Sequence, residues 1–239
     1  MKLKSEKIKY LDGDVTLQGY CAWDENIKDK RPAVLVAPDA AGCTERVRKK
    51  ANQLAELGYL AFAIDMYGNG KCATTRAERA ALYQPFMDNR AMLAQRINAA
   101  FVALKKIPLV DTARMAAIGF CFGGLCALDL ARNGADIRGV VSFHGLLVAP
   151  EPAPTAAIKS KVLALHGFDD PMVPPDQVLS FAKEMTDKKV DWQVQVYGNI
   201  MHAFTNPEAN DRAFGTVYDR TADQRSWVAM KDFFNEVFA

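Results

Sequence analysis

Short, almost wholly apolar runs recur along this chain, separated by stretches whose apolar residues fall on one helical face. Residues 33–37 (Ala-Val-Leu-Val-Ala), 59–64, 115–118, 139–143 and 162–165 are such runs. They lack the in-and-out alternation of a strand with one wet face, and read as strands covered on both sides. Residues 192–197 read as a further strand. Near the start, 8–11 and 15–20 flank Asp12-Gly13-Asp14, a hairpin signal with Asp-Gly as the turn. Helical periodicity runs over 46–57, closed by Gly58 as a natural residue just past a helix end. It returns over 75–105, where a break is expected near Pro85, and again over 125–131, 175–185 and 221–238. Strand and helix therefore alternate. That order predicts an α/β fold with a mostly parallel central sheet and helices on both faces. Right-handed crossovers then bring the C-terminal ends of the strands to one edge, where sites form.

Composition narrows the function classes. The chain has 239 residues, half of them apolar and 24% charged, which suits one globular domain over 1–239 with a large core. A net charge of +2 gives no reason to expect a nucleic-acid or membrane-surface partner. The densest basic cluster, Arg46-Val47-Arg48-Lys49-Lys50, reads as the wet face of a helix. Met1-Lys2-Leu3-Lys4-Ser5-Glu6-Lys7 has no apolar stretch of a signal peptide, and no apolar run reaches the roughly 18 residues of a membrane span. Five cysteines without paired spacing fit a reducing, cytoplasmic setting rather than a disulfide framework or structural zinc. Residues 149–154, rich in proline, read as an extended surface loop. No phosphate loop or dinucleotide fingerprint is present, so no cofactor and no metal are expected.

The most informative stretch is Gly119-Phe120-Cys121-Phe122-Gly123. It joins the strand at 115–118 to the helix at 125–131. Its form is that of a nucleophile elbow, with cysteine at the centre. At such an elbow the central residue takes a positive φ, and the flanking glycines let neighbouring backbone come close. The side chain then sits at a helix start, where N–H groups and the dipole favour a thiolate and a developing oxyanion. A buried structural cysteine in a Gly-rich turn would give the same pentapeptide, so the other members of a triad decide its meaning.

A thiol needs a base in reach. The expected chain order is nucleophile, acid, histidine. Asp169-Asp170-Pro171 follows the strand at 162–165, and His202 follows the strand at 192–197. Both stand where an α/β-hydrolase without a large lid domain needs them. Either aspartate could serve the turn while the other serves the imidazole. Asp170, held extended by Pro171, is the expected partner. His144 and His166 precede any suitable acid and read as hydrogen-bonded walls of the site. The oxyanion hole needs two N–H donors. Phe122 supplies one, and Ala40, in the loop after the 33–37 strand, is expected to supply the other. Cys126 reads as core filler.

Assembled in this way, the chain resembles the dienelactone hydrolase family over nearly its whole length. The resemblance rests on Gly119-Phe120-Cys121-Phe122-Gly123-Gly124, on His166-Gly167-Phe168-Asp169-Asp170-Pro171-Met172-Val173-Pro174, on Asp65-Met66-Tyr67-Gly68, and on His202-Ala203-Phe204. The family's Asp-x-x-Val-Pro spacing implies Asp170 rather than Asp169. The family also has a carboxylate, usually glutamate, that meets the resting thiol. That position here is Asp39, one methylene shorter. Family members that open dienelactone clamp its carboxylate with arginines. This chain has Asn206 at one such position and Gly68-Asn69-Gly70-Lys71 at the other, and an amide lacks the charged fork of guanidinium. The resemblance implies the chemistry more closely than the substrate.

The expected activity is hydrolysis of small carboxylic esters or lactones through an acyl-thioester on Cys121. Tyr67, Phe204 and Asn206 are expected at the substrate pocket. The partner is a small-molecule substrate, and the chain is expected to be a monomer or homodimer. Two other readings of the same residues are acyl transfer to a second nucleophile and a degenerate, ligand-binding hydrolase. The second would ordinarily lack a triad member, and none is missing.

Overall fold

Strand and helix alternate through much of the chain, and the apolar runs at its centre are buried strands as predicted, whereas the strands at 3–12 and 192–197 are largely exposed. The computed structural model describes residues 1–239, with a mostly parallel central sheet and six helices. Contacts divide the chain into two units, residues 1–118 and 119–239.

In the first unit the elements are β1 (Leu3–Asp12), β2 (Val15–Asp24), β3 (Arg31–Ala37), α1 (Glu45–Glu56), β4 (Leu60–Ala63), α2 (Arg76–Asp88) and α3 (Arg90–Lys105). β1 and β2 form the expected antiparallel hairpin, from Leu3 opposite Asp24 to Asp12 opposite Val15. Its turn contains Gly13 at φ +56°. β2 pairs antiparallel with β4, and β4 pairs parallel with β3 from Ala33 opposite Leu60 to Val36 opposite Ala63. β3 from Ala33 onward and all of β4 are sealed from solvent, which is why neither run alternates. α1 turns Val47, Ala51, Leu54 and Ala55 inward at helical spacing.

Two corrections belong here. The helical stretch over 75–105 does break, but Pro85 lies inside α2 and the break falls at Asn89. Pro85 sits in the last turn of α2, where it removes only one N–H. Asn89 leaves helical geometry at φ −131°, and its side chain accepts the Met92 N–H at 2.9 Å, which starts α3. The basic cluster at 46–50 is also not simply a wet face. Arg46 is ion-paired to Asp39, and the Arg48 guanidinium lies 5.9 Å from the Tyr20 ring. Long cationic side chains reach partners that helical spacing alone does not reveal.

β5 (Val110–Phe120) carries the chain into the second unit. There follow α4 (Phe122–Arg132), β6 (Gly139–Phe143), β7 (Lys161–Gly167), α5 (Pro175–Asp187), β8 (Trp192–Tyr197), β9 (Asn210–Asp211), β10 (Thr216–Val217) and α6 (Arg220–Val237). β6, β7 and β8 run parallel in that order, with Phe143 opposite Leu165 and Gly167 opposite Tyr197. Their C-terminal ends therefore lie side by side, and the loops leaving them share one edge. Every residue of α4 is buried. A helix covered all round shows no amphipathic stripe, so its ends could not be read from periodicity.

A buried ion network fixes α4. Arg132, with no exposed side-chain surface, donates to Asp129, to both oxygens of Glu184 on α5, and to the carbonyls of Leu147 and Val148. Removing the cation would leave two carboxylates and two carbonyls short of a donor. Arg132→Met should lower the free energy of unfolding by about 3 kcal/mol or more, measured by urea titration. A loss of under about 1 kcal/mol would show that the network does not hold α4 in place.

Candidate active site

Cys121 sits between β5 and α4 at φ +54° and ψ −119°, a conformation that L-residues adopt only under constraint. The constraint is visible on both sides. Its N–H donates to the Phe143 carbonyl at 3.0 Å, and its carbonyl accepts the Gly124 N–H at 2.9 Å. The flanking glycines are required by contact. A Cβ on Gly119 would lie 1.9 Å from the Gly123 carbonyl oxygen, and one on Gly124 would lie 2.7 Å from Gly145 Cα. No side chain fits at either place, so packing requires glycine at 119 and at 124. Phe122 opens α4, so its N–H belongs to the helix's first turn, which has no acceptor within the helix. Its ring is buried.

The loops after β7 and β8 bring an acid and a base together. Asp170 Oδ2 accepts the His202 Nδ1–H at 2.7 Å, and both side chains are almost wholly buried. Asp170 Oδ1 accepts the Met172 N–H at 2.8 Å. Asp169 is exposed, and its N–H serves the turn by donating to the Ile200 carbonyl at 2.9 Å. The two neighbours thus divide the roles that the sequence left open, with the imidazole going to Asp170. A small antiparallel pair, β9 with β10, straps the His202 loop. His202 donates its N–H to the Gly215 carbonyl at 2.9 Å and accepts the Val217 N–H at 3.0 Å.

Burial alone would lower the His202 pKa, but the negative charge of Cys121 and the hydrogen bond to Asp170 more than reverse this and raise it to about 10. His202 Nε2 is buried without a well-aligned hydrogen-bond partner. The arrangement suits a thiolate–imidazolium pair. His166 differs. Burial holds its pKa below the usual value, against the opposing pull of Asp170, and its ring is bonded to the Val173 backbone. His144 ends β6 and bonds Thr205 through Nε2 at 2.8 Å. All three histidines of the chain thus gather at the ends of three adjacent strands. Thr205 is a partner that the sequence reading did not single out. A lone threonine carries no spacing signal, and only its place three residues after His202 could have drawn attention to it.

Phe204 is wholly buried, its ring 5.0 Å from that of His144 and 5.5 Å from that of Tyr197. Asn206 turns its side-chain oxygen to the Glu208 N–H at 3.1 Å. In the first unit, Asp39 accepts the Ala41 N–H at 2.8 Å and pairs with Arg46. The Tyr67 hydroxyl donates to the Ala40 carbonyl at 3.1 Å. Asp65, also unassigned by sequence, accepts four backbone N–H groups, from Gln18, Tyr67, Gly68 and Gly70 at 2.7–3.0 Å. It fixes the loop that carries Tyr67. Of the other thiols, Cys21 and Cys43 are pushed up by burial to about 12 and about 11, and Cys126 is sealed in the core. No cluster of His, Cys, Asp or Glu has the arrangement to hold a metal ion, and no helix is long and apolar enough to cross a membrane.

The sequence profile of the dienelactone hydrolase family matches residues 17–238. Among solved structures, a dienelactone hydrolase-like promiscuous phosphotriesterase from metagenomic libraries superposes with a TM-score of 0.96. It is 39% identical, and the match covers all of both chains. An uncharacterized protein of Caenorhabditis elegans is 41% identical over 155 residues, covering 64% of this chain and 98% of that one. A probable 2-oxo-3-(5-oxofuran-2-ylidene)propanoate lactonase of Bradyrhizobium is 28% identical over 212 residues, covering 84% of this chain and 82% of that one.

Alkylation of Cys121 by iodoacetamide reports its thiolate directly. With the raised His202 pKa keeping a cation beside the sulfur, the wild type should be alkylated at least about tenfold faster than His202→Ala at mildly acidic pH, and the gap should narrow as the pH rises. Identical profiles would show that the two groups are not coupled.

Proposed function

The chain belongs to the dienelactone hydrolase family and is a hydrolase acting on esters or lactones, and on that premise we propose that it works through an acyl-thioester on Cys121. The observation that carries this reading is the buried 2.7 Å bond between Asp170 and His202 beside the half-buried thiol. The Cys121 thiolate attacks the carbonyl carbon, and the π electrons move to oxygen. The N–H groups of Phe122 and Ala40 receive that oxyanion. As the tetrahedral intermediate collapses, His202 Nε2–H gives its proton to the departing alkoxide. In a lactone the alcohol stays attached to the acyl chain. Neutral His202 then takes a proton from water, the hydroxide attacks the thioester, and Cys121 leaves as thiolate. Asp170 keeps the proton on Nδ1 throughout, so that Nε2 is the atom that exchanges. No metal is needed for any of these steps.

Substrate choice follows from what surrounds the reaction. With Asn206 in place of a cationic clamp, and its side-chain oxygen already bonded to Glu208, a neutral ester or lactone suits the chain better than one bearing a carboxylate. Tyr67 and Phe204 are the proposed aromatic groups of the pocket. The Asp39 carboxylate is engaged by Ala41 and Arg46, which supports a role in shaping the Ala40 loop. The similarity over all of both chains to a promiscuous phosphotriesterase supports a second substrate class, in which the same thiolate attacks phosphorus.

Wild type and Cys121→Ala, compared on p-nitrophenyl acetate near neutral pH, decide the nucleophile. Turnover should fall at least about a thousandfold in the variant, whereas equal rates would remove Cys121 from the mechanism. Turnover in neither protein, together with saturable ligand binding, would favour the binding-module reading. A neutral phosphotriester with a nitrophenolate leaving group should be cleaved by the wild type and not by Cys121→Ala. Phosphotriester cleavage that survives the substitution would place that activity elsewhere.

A further inference from the structure

Phe143 and His144, at the end of β6, touch both reacting groups of the site. The Phe143 carbonyl holds the Cys121 N–H at 3.0 Å. The next residue presents its ring to His202, with centroids 5.1 Å apart and planes at 67°. One peptide step therefore spans from the Cys121 backbone to the His202 ring.

His144 is held firmly enough to act as a gauge. It is 2% exposed and sits at φ +38°, where a residue other than glycine is strained. Its N–H donates to the Leu165 carbonyl on β7 at 2.8 Å. Gly145 behind it is wedged so closely that a Cβ would lie 2.1 Å from Ser142 Oγ and 2.9 Å from Gly124 Cα. The backbone cannot relax without moving the elbow. The ring is fixed independently. Nε2 bonds Thr205 Oγ1 at 2.8 Å in a buried setting, and the ring stands edge-on to Phe204 at 5.0 Å. Thr205 and Phe204 both belong to the loop that carries His202.

Asp170 fixes one atom of the His202 ring, Nδ1, but a single hydrogen bond leaves the ring free to rock about it. A base must aim Nε2 at the reacting atom within a narrow angle, and displacements of about 1 Å can cost about a hundredfold in rate. A second contact on the ring removes that freedom. We propose that His144, pinned by Thr205, is a positioning residue that sets the plane of the His202 imidazole, and that the Phe143-His144 step sets the spacing between thiol and imidazole. This inference rests on the proposed Cys121–His202 chemistry and adds a component to it. His144 exchanges no proton with the substrate in this scheme.

The test uses Thr205→Val, which keeps the shape and removes the hydrogen bond, and His144→Gln, which keeps an acceptor and removes the ring. With p-nitrophenyl acetate, each should lower kcat about tenfold or more while KM stays within about twofold. Alkylation of Cys121 in each should also slow at mildly acidic pH, a signature that packing defects elsewhere would not produce. Thr205→Ser should restore both readouts. Wild-type kcat and a wild-type alkylation profile in Thr205→Val would overturn the proposal, whether or not the variant melts lower. If His144→Gln fails to fold, Thr205→Val alone carries the decision. Failure of the underlying chemistry would be seen separately, as turnover in the parent protein that does not depend on Cys121.

Discussion

The buried hydrogen bond between Asp170 and His202 is the constraint on which the site depends. A carboxylate sealed from water needs donors, and this one has two, the imidazole and the Met172 N–H. The bond does three things at once. It stabilises the carboxylate, it fixes the tautomer of the ring, and it helps to hold the pKa of the imidazole up. None of these would survive if the pair were wet, because a water-filled site would weaken each attraction. The strand ends of β6, β7 and β8 provide the dry floor, and the loops above them provide the groups.

Much of this was legible in the chain. Continuous apolar runs mark strands covered on both sides, and their order gives the parallel sheet. The elbow was legible for a different reason. Gly119 and Gly124 occupy places where no Cβ fits, so packing writes itself directly into the sequence. His202 and Asp170 followed from chain order. What stayed hidden depends on partners distant in sequence. Chain order alone does not separate Asp169 from Asp170; Pro171 and the family spacing pointed to Asp170, which is the buried one of the two. Arg46 looked like a solvated charge because helical spacing cannot show that a loop carboxylate waits within reach. Thr205 has no motif of its own, and Asp65 stood in a motif that did not reveal its work; both roles exist only as contacts. Asn89, rather than Pro85, ended a helix because a side-chain cap started the next one.

The site also divides cleanly between what the family shares and what this chain sets for itself. Thiol, imidazole and carboxylate define a reaction type. Tyr67, Phe204 and Asn206, the groups we propose for choosing among esters, are already engaged within their own parts of the chain. Asn206 bonds within its own loop, and the Tyr67 hydroxyl bonds the Ala40 carbonyl, so both are committed to shaping backbone as well as to any contact with a substrate. A change of substrate preference at either position would carry a structural cost with it.

The strap over the His202 loop closes against the acid. Gly215 accepts from His202 through its carbonyl, and its Cα faces Pro171 so closely that a Cβ would lie 2.1 Å from the ring. The segment from 202 to 217 is thereby keyed to the residue beside Asp170. Insertions are tolerated in loops that are free at both ends; this one is clamped at its base and its tip. A change in the length of this segment would therefore pull on His202 and on the residue beside Asp170 at the same time.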